Sequence, residues 1–282
     1  MADMNLATSF LPYVDEMFYK ESQRALVTNH DFTFDGAKTV KVYKMKTVAT
    51  QDYDRDGSKT AAGGSRYGTI AGLGNDVETF TLSKDRSFTF ALDKMDVNET
   101  LQTANAAAAL AREMREVVIP EIDAYIYSKM VAGAGTTATA AALDASNIFD
   151  KVLEGNNVLD NNLAPDTGRV LIVTPDVYYM MKRSKDIVME TETGAEMRAR
   201  GVISNLDGLN IIKVPAARLP EGFGFMIAHP CATVAPVKLE DYKIHDDPPG
   251  LSGSLAEGRF YFDAFVLDNK KMAIYYQPIT TK

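Results

Sequence analysis

Tryptophan is absent from the 282 residues, cysteine occurs once and histidine three times. The lone Cys231 cannot form an internal disulfide, so the fold does not depend on an oxidising compartment. His30, His229 and His245 lie far apart, and none has a ligand at the i+3 or i+4 spacing of zinc sites. Positive charge is also short: 30 Lys and Arg against 38 Asp and Glu give a net charge of −8. That balance argues against a primary nucleic-acid binder, because phosphate contacts need clustered cations, but not against a shell whose inner face lies beside nucleic acid. No run approaches the length of a membrane span. The first thirty residues lack the basic start, apolar run and cleavage site of a secretory signal, so the chain reads as soluble and made in a cytoplasm.

Catalytic signatures are equally sparse. There is no G-x-x-x-x-G-K-[ST] and no G-x-S-x-G, and Gly222-x-Gly224 lacks the third glycine of a dinucleotide fingerprint. His229-Pro230-Cys231 at a helix start could lower a thiol pKa, but no base or orienting partner accompanies it, and a buried structural cysteine is the simpler reading. Asp52-x-Asp54-x-Asp56-Gly57 resembles the opening half of a calcium loop, since alternating oxygen ligands before a turn-making glycine suit a hard cation. The match then fails, because Gly63 stands where an EF-hand needs Glu; a solvated acidic loop tip is the alternative. Acidic pairs such as Glu190/Glu192 and Asp246/Asp247 lie in polar loops, where they are hydrated. Nothing in the sequence calls for a cofactor or a catalytic residue.

What is abundant is extended, glycine-rich chain. KTVKVYKMKTV at 38–48 and VETFTL at 77–82 are strand-like. SFTFAL at 87–92 alternates as a half-buried strand, and residues 83–86 would join it to VETFTL as a hairpin. Between them, residues 49–76 carry six glycines, with Tyr53, Tyr67, Ile70 and Leu73 as the bulky apolar groups. So long a connection in a compact domain is either disordered or completed by a partner. Lys38, Lys41, Lys44 and Lys46 make the first strand basic, which protects an edge or meets acidic patches on a neighbouring subunit.

Asp96 then offers an N-cap with Glu99 three residues on, opening a helix over 98–130. Thirty-three residues span roughly 50 Å. Pro120 removes the bond to the Glu116 carbonyl, which predicts a bend or a break into two helices. VAGAGTTATAAA at 131–142 reads as a flexible boundary. The texture beyond it is α/β: a helix at 146–163 with Ile148, Val152, Leu159 and Leu163 on one face, and a buried strand at 169–173. Thr174 then caps a helix with Pro175 at its first position. Strands follow at 209–214 and 223–227, a short helix at 230–236, extended chain at 238–245 and a loop at 246–257. Residues 259–268 and 272–276 form a closing, buried hairpin.

This order, together with VVIPEIDAYIYSKM at 117–130 and FYFDAFVLDNKKMAIYYQP at 260–278, resembles the major capsid protein of tailed bacteriophages, the Johnson fold shared with encapsulin shells. The resemblance implies an α+β architecture: an N-terminal arm (1–34), an extended β-arm (35–95), a peripheral domain with spine helix and long sheet (96–133 and 238–282), and an α/β axial domain (134–237). It implies a structural subunit with no active site, self-assembling as hexamers and pentamers into an icosahedral virion shell around double-stranded DNA, in the host cytoplasm. Lys38, Lys41, Lys44, Lys46, Tyr53, Tyr67, Ile70 and Leu73 are then candidates for contact between subunits. The acidic balance suits an inner wall that repels packed DNA. No fused coiled-coil prefix is visible, so a separate scaffolding protein and a portal are expected partners. Some relatives cross-link through a lysine in the extended loop; Lys59 lies there, without a partner that sequence can choose. Two alternatives remain open: an encapsulin-type compartment on the same fold, and an oligomeric α/β enzyme with a lid at 49–76.

Overall fold

A computed structural model describes residues 21–29, 39–58, 65–95, 106–185 and 205–280. The chain divides into two compact units, Phe34–Leu82 and the remainder, Met1–Thr33 with Ser83–Lys282.

The smaller unit is a two-stranded antiparallel ribbon. Strand β1 (Thr39–Met45) pairs with β2 (Asn75–Thr81), Thr39 opposite Thr81 and Met45 opposite Asn75. Its β-branched and aromatic residues favour the pleated surface. Residues 49–76, expected to lack structure of their own, are tied across the described part of the tip. The Asp54 amide donates to the Arg66 carbonyl at 2.9 Å, and the Thr69 amide to Gln51 Oε1 at 2.8 Å. Tyr53 and Tyr67 meet edge to face with ring centroids 5.0 Å apart.

The larger unit runs β3 (Lys84–Asp93), α1 (Ala106–Glu113), a π-helical turn (Met114–Val118) and α2 (Ile119–Ala132). It continues with β4 (Thr136–Thr137), α3 (Ile148–Asn161), β5 (Val170–Val173), α4 (Pro175–Arg183), β6 (Asn205–Leu206) and β7 (Leu209–Lys213). The last elements are β8 (Phe223–Ala228), β9 (Thr233–Val234), β10 (Val237–Asp246), β11 (Gly253–Phe262), β12 (Phe265–Val266) and β13 (Ile274–Pro278). Two sheets organise it. One has the order β10-β11-β3, the other β4-β13-β8-β5-β7-β6; β9 and β12 pair separately. All four residues of β5 and all six of β8 are buried, as continuous apolar runs in central strands require. Helix α3 packs on the second sheet so closely that a Cβ on Gly155 would come within 2.8 Å of the Tyr275 ring.

Several sequence expectations are corrected. VETFTL does not form a hairpin with SFTFAL: β2 pairs with β1, and β3 with β11. Only Leu82 and Ser83 separate the two strands, and neither is a residue that two-residue hairpin turns demand. Residues 84–93 therefore leave the ribbon, which ends at Leu82 instead of residue 95. Residues 131–142 are not a loose boundary, because β4 runs parallel to β13 and the Ala138 amide donates to the Tyr276 carbonyl at 2.9 Å. The loop expected at 246–257 is shorter, β11 beginning at Gly253. The closing hairpin is absent: β11 joins β3 and β10, whereas β13 lies between β8 and β4, and so leaves the sheet that 238–262 builds. The helix expected at 230–236 is a three-residue 3-10 turn, Pro230–Ala232, followed by β9.

The spine helix is continuous over the described residues 106–132; its expected N-cap, Asp96 with Glu99, lies outside them. At Pro120 the chain neither breaks nor keeps a regular α-helix. The π turn Met114–Val118 sits immediately before it, and such a bulge absorbs the missing N–H within a continuing helix. Ile122, Ile126 and Met130 line the buried face of α2, with Asp123 and Tyr127 beside them.

Candidate inter-subunit surface

Most of the ribbon's large apolar groups stay exposed, although Phe80 and Leu82 are buried and Tyr53 and Tyr67 meet each other. Register puts Lys41, Tyr43 and Met45 on one face, opposite Thr79, Val77 and Asn75. Tyr43, Met45 and Val77 are all exposed. The tip adds Tyr53, Tyr67, Ile70 and Leu73, of which Tyr67 is 80% and Ile70 87% exposed. The four tip residues were legible as candidates. Tyr43, Met45 and Val77 were missed, although the alternation of KTVKVYKMKTV and VETFTL was the available signal.

The lysines behave differently. On the other face Lys44 pairs with Glu78 at 2.7 Å and Lys46 with Asp76 at 3.0 Å, so both find acidic partners inside the ribbon. Lys41 is exposed on the apolar face. Lys38 and Lys59 lie outside the described residues. The acidic tip is turned on its own backbone: Asp54 Oδ1 accepts the Gly57 amide at 3.0 Å, and Asp56 Oδ1 accepts the Ser58 hydroxyl at 2.9 Å. The Ser58 hydrogen bonds hold the Asp56 carboxyl below the usual range. Asp52 is exposed beside them. Among the described residues, no three His, Cys, Asp or Glu side chains cluster as a metal site.

The larger unit carries three polar nodes that fix its surface elements. Asp263 accepts the Ser83 amide and hydroxyl at 2.9 and 2.8 Å and the Tyr125 hydroxyl at 2.7 Å, which sets where β3 begins. Burial, and then the Asp263 carboxylate, push the Tyr125 phenol up to about 12. Asp123, buried on α2, accepts from Arg218 at 2.9 Å and from Ser22 at 2.7 Å, and so binds the segment around the 3-10 turn Arg24–Leu26. Burial, with the adjacent Asp123 charge, also raises the Tyr127 phenol. Arg169 is enclosed by the loop after α3. Cys231 follows neither catalytic logic nor the helix-start expectation: burial raises its thiol, and its amide donates to His229 Nδ1 at 3.2 Å. No helix among the described residues is long and apolar enough to cross a membrane.

A body with a finished core, bearing a ribbon whose apolar groups face outward, defines a subunit built for contact. The sequence profile of the phage capsid protein family matches residues 76–276, and the chain belongs to that family. It is a structural subunit of a phage capsid shell, located in the virion and assembling with copies of itself. Solved structures agree on the fold. That of Mycobacterium phage Che8 shares 18% identity over 96% of both chains, with a TM-score of 0.76. The capsid structure of cyanophage P-SCSP1u shares 13% over 98% of this chain and 93% of that one, at 0.77. The mature capsid of bacteriophage PhiM1 shares 14% over 99% and 93%, at 0.75. No functionally curated protein matches the sequence.

Proposed function

We propose that this chain is the repeating subunit of an icosahedral shell, assembled as hexamers and pentamers in the host cytoplasm and enclosing double-stranded DNA. The observation that carries this is the ribbon: a family member of the capsid type exposes Tyr43, Met45, Tyr67, Ile70 and Leu73 on a unit with almost no interior. The ribbon lies over an adjacent copy, where strand edges add main-chain hydrogen bonds and the apolar face is covered. The spine helix with the β10-β11-β3 sheet forms a peripheral, Johnson-type domain. Residues 134–237, completed by β13, form an axial domain near the symmetry positions. A separate scaffolding protein directs closure and a portal occupies one vertex. The subunit performs no catalysis; its work is heterologous contact repeated until a surface closes.

Negative-stain microscopy of the purified chain, alone and with its scaffolding protein, tests this. Closed particles are expected, with nucleic acid inside those recovered from infected cells. A persistent monomer or small oligomer under all conditions sinks the proposal and favours an enzyme with a lid at 49–76. Particles filled with a protein cargo favour a compartment on the same fold.

A further inference from the structure

At the ribbon tip a side chain stands in for a strand partner. Gln51 places both ends of its amide on one residue of the returning chain. Its Oε1 accepts the Thr69 amide at 2.8 Å, and its Nε2 donates to the Thr69 carbonyl at 3.3 Å. That is the double exchange one residue of an antiparallel ladder offers another. The clip passes over Gly68, where an added Cβ would stand 2.9 Å from Gln51 Cδ. Gly68 also lies at φ +85, so the close approach and the turn both demand glycine.

A second tie lies further out. The Asp54 amide donates to the Arg66 carbonyl at 2.9 Å, and Arg66 Nη1 reaches back to the Arg55 carbonyl at 3.4 Å. In chain order the Tyr53–Tyr67 ring contact falls between the two ties. On the returning side the Gly68 amide closes a turn on the Ser65 carbonyl at 3.1 Å, and on the outgoing side the Gly57 amide closes one on Asp54 Oδ1 at 3.0 Å. None of the described residues from 51 to 69 is buried, so no core holds this arrangement. Each exposed hydrogen bond is weak alone. A segment that orders only on its partner leaves its backbone groups to water until contact. Here they are joined across the tip within a single chain.

We propose that Gln51 and Gly68 are positioning residues that fold the tip in the free subunit, so that Tyr53 and Tyr67 enter assembly already arranged. The inference has two halves. Folding of the tip is a property of the subunit alone and needs no partner. Its consequence for assembly rests on the shell reading above: a tip ordered beforehand loses less freedom when it is covered.

Amide hydrogen exchange on the unassembled full chain reads the first half. The Thr69 and Asp54 amides should exchange about tenfold more slowly than in an unstructured peptide. Gln51→Ala should return the Thr69 amide to the peptide rate and leave the amides of β5 and β8 unchanged. Gln51→Glu keeps the acceptor and loses the donor, so partial protection of Thr69 is expected. Gly68→Ala displaces the clip and should expose Thr69 as Gln51→Ala does. Assembly reads the second half: Gln51→Ala should need a severalfold higher protein concentration to form shells, with Gln51→Glu between it and the parent. Tip amides that exchange at the peptide rate in the native subunit, or gain protection only in shells, overturn the inference. So does Gln51→Ala assembling like the parent after Thr69 has lost its protection. A native chain that never assembles overturns the proposed function, while Thr69 exchange still decides whether the tip folds by itself.

Discussion

Strands β5 and β1 have similar propensities and opposite fates. Leu171 and Ile172 of β5 are fully enclosed between neighbouring strands and helices of their own unit, while Tyr43 and Met45 of β1 look into solvent. Burying a side chain of this size contributes about 1.5–3 kcal/mol. The larger unit collects that contribution on folding. The ribbon defers it, because an isolated two-stranded hairpin has no second layer to pack against and is marginal by itself. Most of the apolar burial in this chain thus lies in the larger unit, while the ribbon buries Phe80 and Leu82 and leaves Tyr43, Met45, Tyr67, Ile70 and Leu73 exposed.

The sharpest way to break the comparison is to truncate one residue on each side of it. Leu171→Ala should cost the free subunit about 3–5 kcal/mol in denaturant unfolding, since a cavity remains in a closed core. Ile70→Ala should leave that midpoint within about 0.5 kcal/mol and raise the concentration needed for assembly; an equal loss of stability at both sites would erase the distinction. Next in size is Asp123→Ala, which removes a buried carboxylate that accepts from both Arg218 and Ser22. A thermal melt should register a loss of about 3 kcal/mol, with increased proteolysis near residue 24. Gly258→Ala comes third: its Cβ would lie 2.3 Å from the Phe88 ring, so repacking should cost about 1–3 kcal/mol. Hydrogen exchange should show the loosening in β10, β11 and β3 and not in β1 and β2.

The smallest effect is alkaline. The Tyr125 and Tyr242 phenols are raised from 10.0 to about 12 in the folded chain, mainly by burial. The unfolded chain releases these protons first, so their contribution is complete below pH 10 and is lost as pH rises through about 12. Tyr125→Phe should flatten that decline in unfolding measured across the alkaline range.

Much of the body was legible because its signals are local. RVLIV, LNIIKV and FGFMI are apolar runs bounded by turns, and the Thr174 hydroxyl does accept the Val177 amide, at 3.3 Å. Strand partners were not legible, since pairing depends on residues far apart. The first half of β11 looked like loop because Gly253 belongs to the turn-rich run at 246–257, while its second half was read as a strand. In the fold Gly258 is the gap beneath the Phe88 and Tyr242 rings, and Gly253 lies against the Leu92 backbone. The polar nodes were hidden for the same reason: Arg218 reaches Asp123 across 95 positions, and Ser83 reaches Asp263 across 180. On the proposed contact surface, Tyr53, Tyr67, Ile70 and Leu73 stood out as the bulky apolar groups of a glycine-rich segment. Alternation in β1 reveals two faces without saying which one meets water, so Tyr43 and Met45 were passed over.

The position of β13 between β8 and β4 imposes an order on synthesis. Thr136 and Thr137 emerge from the ribosome long before Tyr275 and Tyr276, the residues they pair with. Until then the larger sheet lacks the strand that joins β4 to β8, with Gly155 facing no ring and Ile227 paired only with Leu171 of β5. A chain interrupted upstream of residue 274 therefore presents an incomplete sheet and should be cut by protease faster than the full chain.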